Sequence, residues 1–104
     1  MICAQQGDIL WLEKEEQYVL VLSREFFNQS GMSVVCPLRD KAKPDALHIG
    51  ISSDEYNGTA LLEHLRSLDL QARHYMKISV IPYEQIQDIS DAVQGIFEYY
   101  PFSI

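Results

Sequence analysis

Basic residues are scarce in this sequence: eight Lys and Arg face fifteen Asp and Glu, for a formal net charge of −7. Phosphate backbones are contacted mainly by Lys and Arg, so the overall field repels RNA or DNA. Any nucleic-acid contact must come from a local basic patch, while a basic partner surface would be attracted. Cysteine is nearly absent. Cys3 and Cys36 are too few for a disulfide framework and too isolated for the paired ligands of a zinc site. No metal and no cofactor is expected. Cys36, within Val34-Val35-Cys36-Pro37-Leu38, reads as a small buried apolar residue. Long apolar runs are missing too. The longest, 19–22 and 78–81, fall far short of the roughly 20 residues that cross a bilayer. The opening Met1-Ile2-Cys3-Ala4-Gln5 has neither the basic flank nor the apolar stretch of a signal peptide. A cytoplasmic protein without membrane contact is the expectation. No repeat, low-complexity tract or Pro/Gly-rich linker divides the chain, so residues 1–104 read as one domain.

What is present suits a packed core, since 47% of the residues are hydrophobic, enough for a domain of ordinary size. Short β-like runs alternate with turn signals. Residues 8–13 and 17–23 read as a hairpin across the charged turn Glu13-Lys14-Glu15-Glu16. Ser23-Arg24-Glu25-Phe26 opens a short helical turn that the 28–31 breaker group ends. Residues 32–38, 46–52, 59–65 and 77–81 read as further strands, although the leucine-rich run 60–70 fits neither period cleanly. From Tyr83, apolar residues recur at Ile86, Ile89, Val93, Ile96 and Phe97, the stripe of an amphipathic helix. Pro82 suits its entry and Pro101 its end. The expected fold is mostly β, a small barrel with a C-terminal helix.

Element order and several short motifs resemble the MazF/PemK toxins, whose SH3-like barrel is shared with the CcdB gyrase poisons. Gly7-Asp8-Ile9-Leu10-Trp11 is similar to the family's first strand and Val19-Leu20-Val21-Leu22-Ser23 to its second. Phe26 with Asn28 resembles the short helix that follows, and 31–38, ending Cys36-Pro37, the third strand. Asn57-Gly58-Thr59-Ala60-Leu61-Leu62 resembles the central strand, and Leu65-Arg66-Ser67-Leu68-Asp69 with Ala72-Arg73 the segment after it. The resemblance runs from about Gly7 to Tyr99. It implies an SH3-like barrel that pairs as a homodimer, is silenced by an antitoxin protein, and cuts single-stranded RNA without a metal.

That chemistry sets its own requirements. The 2′-hydroxyl attacks the adjacent phosphate, so a base must take its proton and an acid must protonate the leaving 5′-oxygen. A cation or donor must face the charge that builds on the phosphate. Active members carry a long polar loop ending in Arg-Pro before the second strand; here the segment 13–18 is short and acidic, with neither residue. Arg39 stands where active members have Thr or Ser after the third strand, and Glu63-His64 where they have a carboxyl-amide pair. The resemblance thus implies Arg39, Glu63 and His64 as the catalytic candidates. Lys41, Lys43, Arg66, Arg73 and His74 are the candidate RNA contacts.

Each candidate has a plain structural reading beside the functional one. Adjacent residues on a strand point to opposite faces, so Glu63 and His64 serve one groove only if the strand is bulged or ends there. Otherwise His64 is a solvent-facing strand residue and Glu63 an ordinary ion-pair partner. Arg39, Lys41 and Lys43 would equally make a solvated loop, and Arg66 a surface pair with Asp69 worth little. Trp11 is a base-stacking platform or a core or dimer-interface anchor. The aromatic tail 97–104 is a contact surface or folds back over the barrel. Three functions stay open: a ribonuclease toxin with a rearranged site, a non-catalytic toxin-fold protein that binds a partner as gyrase poisons do, and an inactive family member.

Overall fold

The computed structural model describes residues 3–43 and 45–97. Seven strands and two helices alternate in it: β1 (Asp8–Leu12), β2 (Gln17–Val21), α1 (Glu25–Asn28), β3 (Met32–Arg39), β4 (His48–Ser52), β5 (Asn57–Leu61), β6 (Arg66–Asp69), β7 (Tyr75–Val80) and α2 (Tyr83–Phe97). All strands join one antiparallel sheet in the order β4-β5-β3-β2-β1-β7, with β6 also on β3. The mostly β fold with a C-terminal helix is as expected from the sequence. The predicted helix end at Pro101 and the aromatic tail beyond Phe97 lie outside the described residues.

Period-2 alternation sorts the apolar side chains onto two faces. Ile9, Leu20, Cys36, Leu38, Ala60 and Leu62 gather on one, where α2 lays Ile86, Ile89 and Val93 against them. Leu10, Leu12, Val19, Val21, Val35, Leu68 and Leu70 gather on the other. The helix sits close because Gly7, at φ +93°, has no side chain; a Cβ there would come within 2.6 Å of the Ile86 side chain. Behind α1, buried Asn28 is fully used. Its Oδ1 accepts from Ser23 Oγ at 2.5 Å and Ser33 Oγ at 2.9 Å, and its Nδ2 donates to Ala4 O at 2.8 Å and Ser23 O at 2.9 Å.

The structure corrects the sequence reading in the stretch 59–65. The strand stops at Leu61, a three-residue 3-10 turn spans Leu62–His64, and β6 follows. β5 and β6 run along the same edge of β3. Leu38 faces Ala60, and Val35 faces Arg66. Three steps on β3 therefore meet six along β5 and β6, and the turn Leu62–His64 is the surplus, pushed out of the ladder as a wide bulge. The cause lies in β3. Val34 O accepts from Leu22 N at 2.8 Å and Leu38 O from Gln17 Nε2 at 3.0 Å, so even-numbered residues turn their main-chain groups toward β2. By alternation, Pro37 turns toward the β5–β6 edge, where it has no N–H to donate. The ladder is interrupted opposite that missing donor. The leucines of 60–70 fit no single period because strand, turn and strand follow one another within them. The fourth strand begins at His48, two residues later than expected, because Asp45 Oδ1 accepts from Leu47 N at 2.7 Å and His48 N at 3.0 Å and so holds a turn.

Candidate functional site

The bulge turns Glu63 toward β4. Its Oε2 lies 2.5 Å from His48 Nε2, and the ring's Nδ1 lies 2.7 Å from the carbonyl of Lys43. Asp45 Oδ2 approaches the same Nδ1 at 3.4 Å. A carbonyl can only accept, so Nδ1 carries a proton and donates. Nε2 and the Glu63 carboxyl then share one further proton between them. That arrangement is either imidazolium with carboxylate or neutral ring with carboxylic acid. The Lys43 carbonyl, chiefly, and then Glu63 raise the His48 pKa above its ordinary value against the opposing effect of desolvation. Desolvation alone would push the Glu63 carboxyl up, but the hydrogen bond from His48, together with smaller favourable contributions, holds it below the usual carboxylate range. Both shifts favour imidazolium with carboxylate.

Register places two cations on the face that carries this pair. On β3 the odd-numbered residues share a face with Val35, which faces Arg66 as Arg39 faces Thr59. Thr59 faces Gly50 and Leu61 faces His48. Since cross-strand partners point the same way, Arg39, Arg66 and His48 occupy one face, with Pro37 and the bulge between. Arg39, Lys41, Lys43 and Arg66 are exposed, and their side chains form no ion pair among the described residues. Beneath the bulge, burial first and Glu63 second push the Cys36 thiol up to about 12, so it is an inert filler of the core.

The candidates named from sequence are thus partly united. Arg39 and Arg66 share a face of the sheet with His48, to which Glu63 is bonded. His64 shares the turn with Glu63, is exposed, and makes no side-chain hydrogen bond among the described residues. Arg66 and Asp69 do not pair; Asp69 instead accepts from Ala72 N at 3.3 Å and caps the turn after β6. Arg73 is paired with Glu15 of the β1–β2 turn, and exposed His74 offers its carbonyl to Glu13 N at 3.1 Å. Trp11 is half-buried and packs against Tyr18 in a tilted pair, with centroids 4.6 Å apart, as Tyr18 does against Tyr56 at 4.8 Å. That row lies on the opposite face, with Leu38.

Sequence reasoning missed His48. The only local sign was the Asp45-x-x-His48 spacing of a turn that precedes a strand. Its partnership with Glu63 depends on the β4–β5 pairing and the bulge, neither of which a local pattern reveals.

Comparison with known proteins fits this architecture. Residues 5–97 match the PemK-like, MazF-like toxin of type II toxin-antitoxin systems. Among solved structures, a MazE–MazF complex from Deinococcus radiodurans superposes with a TM-score of 0.83 at 22% identity, covering 93% of this chain and 98% of that one. An endoribonuclease from a mycobacterial species gives 0.82 at 13% identity over 97% and 98%. A mycobacterial endoribonuclease in complex with its cognate antitoxin gives 0.79 at 11% over 94% and 99%. No curated protein sequence matches the chain.

Proposed function

The chain belongs to the PemK-like, MazF-like family of toxins of type II toxin-antitoxin systems, and we propose that it is a cytoplasmic endoribonuclease toxin that cuts single-stranded RNA. We further propose that it acts as a homodimer and is restrained by an antitoxin protein. The hydrogen-bonded His48–Glu63 pair carries this reading, since it is a partly exposed acid–base couple near cations that form no ion pair among the described residues. Solved proteins of the same fold that are described as endoribonucleases, one of them with its cognate antitoxin, support it. Among the described residues, no helix is long and apolar enough to cross a membrane.

The roles follow from the groups. The 2′-oxygen attacks the adjacent phosphorus; the O2′–P bond forms and the P–O5′ bond breaks. The Glu63 carboxylate takes the 2′-hydroxyl proton and the His48 imidazolium returns one to O5′. The Arg39 guanidinium meets the charge growing on the phosphate oxygens. It takes the place of the arginine that active members carry before the second strand. His64, one residue on in the same turn, is a second imidazole within the site. Lys41, Lys43 and Arg66 hold flanking phosphates.

The test is cleavage of a pool of single-stranded RNA by purified protein in EDTA. Discrete products are expected from the wild type. Arg39→Ala should lower the rate by about 10²–10³, and Glu63→Gln or His48→Ala by about 10²–10⁴. A full loss in His64→Ala with His48→Ala active would move proton exchange to His64. Intact RNA at high protein concentration would remove the ribonuclease reading and leave a toxin-fold protein that acts by binding.

A further inference from the structure

His48 is the first residue of β4, and β4 is the outermost strand at one edge of the sheet. Strand ends at an edge open most readily, whereas proton exchange needs a ring held within a fraction of an ångström. The ring itself has two partners. Nδ1 donates to the carbonyl of Lys43 at 2.7 Å, and Nε2 faces Glu63 at 2.5 Å. Neither of them holds the main chain of His48.

Asp45 serves main chain and ring together. Its Oδ1 accepts from Leu47 N at 2.7 Å and from His48 N at 3.0 Å, which closes an Asx turn. His48 N also donates to the Asp45 carbonyl at 3.3 Å. The second carboxylate oxygen, Oδ2, lies 3.4 Å from His48 Nδ1. On the far side Leu62 N donates to Leu47 O at 2.9 Å, which ties the turn to the bulge that carries Glu63. The Asp45 side chain is 55% exposed, so its charge can be removed without opening the core.

We propose that Asp45 is a positioning residue for the cleavage: one oxygen closes the turn that starts β4, and the other keeps the His48 ring with Nδ1–H toward the turn and Nε2 on Glu63. The proposal rests on the ribonuclease reading above, and Asp45 itself touches no reacting atom. Which nitrogen of an imidazole meets the substrate is set by the partners of the other. The carboxylate also favours the protonated ring, the form that returns a proton to O5′. The Lys43 carbonyl first, then Glu63 and Asp45, raise the His48 pKa against desolvation. Arg39 and Arg66 share the sheet face of His48, His64 follows Glu63 in the bulge, and Lys43 belongs to the same loop as Asp45.

The experiment follows the ring and the reaction side by side in the whole chain. NMR titration without RNA reads the protonation of His48, whose signal is assigned by its loss in His48→Ala. Cleavage of single-stranded RNA in EDTA, from about pH 5 to 9, reads its use. Asp45→Asn keeps an oxygen for Leu47 N and His48 N but sets an amide N–H against Nδ1–H. Its His48 midpoint should fall by about half a pH unit. The alkaline limb of the rate at saturating RNA should move with it, a loss of about threefold there, with the acid-side rate and KM unchanged. Asp45→Ala also gives up the turn and should lose about tenfold at every pH. Asp54→Asn removes the same charge from an exposed acid of the β4–β5 turn and should leave midpoint and profile as in wild type. Thermal melts establish that each variant is folded. A His48 midpoint in Asp45→Asn equal to that in Asp54→Asn would overturn the proposal. So would a lowered KM with an unmoved rate profile, which would make Asp45 a brake on RNA binding. A shifted midpoint in a chain that leaves RNA uncut would overturn the ribonuclease reading and leave the hold on His48 standing.

Discussion

Replacing Asn28 by Asp changes one NH₂ to an oxygen at nearly constant volume. Asn28 is 2% exposed, and its orientation is fixed by its neighbours. Oδ1 faces two hydroxyls, while Nδ2 faces the carbonyls of Ala4 and Ser23 at 2.8 and 2.9 Å. Carbonyls cannot donate, so the flipped amide is excluded. In Asn28→Asp the new oxygen meets those two carbonyls. As carboxylate it satisfies neither; as carboxylic acid it satisfies one. Each buried carbonyl left without a donor costs about 1–3 kcal/mol, so a loss of about 3 kcal/mol is expected at neutral pH. In a domain of about 100 residues each kcal/mol lowers the melting midpoint by about 4–8 °C, which makes the drop roughly 12 °C or more. The sign with pH is also fixed. Burial among acceptors raises the folded-state pKa of the new carboxyl above its unfolded value, so the gap from wild type is largest above that pKa and narrows on acidification. Asn28→Ala should be destabilised with a gap that does not change with pH. The assay is thermal unfolding by circular dichroism across pH 5–7. A gap for Asn28→Asp under about 1 kcal/mol, or one that ignores pH, would refute the network's role.

The remaining predictions concern the bulge, the helix and the ion pair. Leu62 is fully buried, at 0% exposure, and anchors the bulge to the core; Leu62→Ala should cost about 2–5 kcal/mol in denaturant unfolding. It should also cut RNA cleavage, because Glu63 loses its support. Gly7→Ala meets both a positive φ and the Ile86 side chain. It should destabilise by about 1–3 kcal/mol and raise amide exchange in α2 above that of β2, whereas uniform exchange would show that the contact does not hold the helix. The His48–Glu63 pair should give stability a plateau in pH. His48 titrates above its ordinary 6.5, so its contribution is complete below that value and lost as pH rises through the folded pKa. Glu63 titrates below its ordinary 4.5, so its contribution is complete above that value and lost as pH falls through the folded pKa. Both are present between the two ordinary values, and chemical denaturation of Glu63→Gln should lose its difference from wild type at either extreme.

Several features were determined by the sequence itself. Alternating apolar residues in 8–22 and 32–38, and the 3.6-residue stripe after Tyr83, set the hairpin, the third strand and α2, because one buried face imposes a period that local reading detects. Ordered motifs along most of the chain marked the family, and Arg39 and Glu63 were named as candidates through it. Tertiary structure decided the rest. The bulge at Leu62–His64 arises where Pro37 presents no donor to the neighbouring edge, and a missing hydrogen bond between residues some 25 positions apart leaves no periodic trace in either segment. His48 joined Glu63, Arg66 came to share a face with His48 and Arg73 was paired with Glu15 for the same reason. Which charges meet depends on strand register and on how far the sheet curls, and both are set by long-range packing rather than by neighbours in the chain.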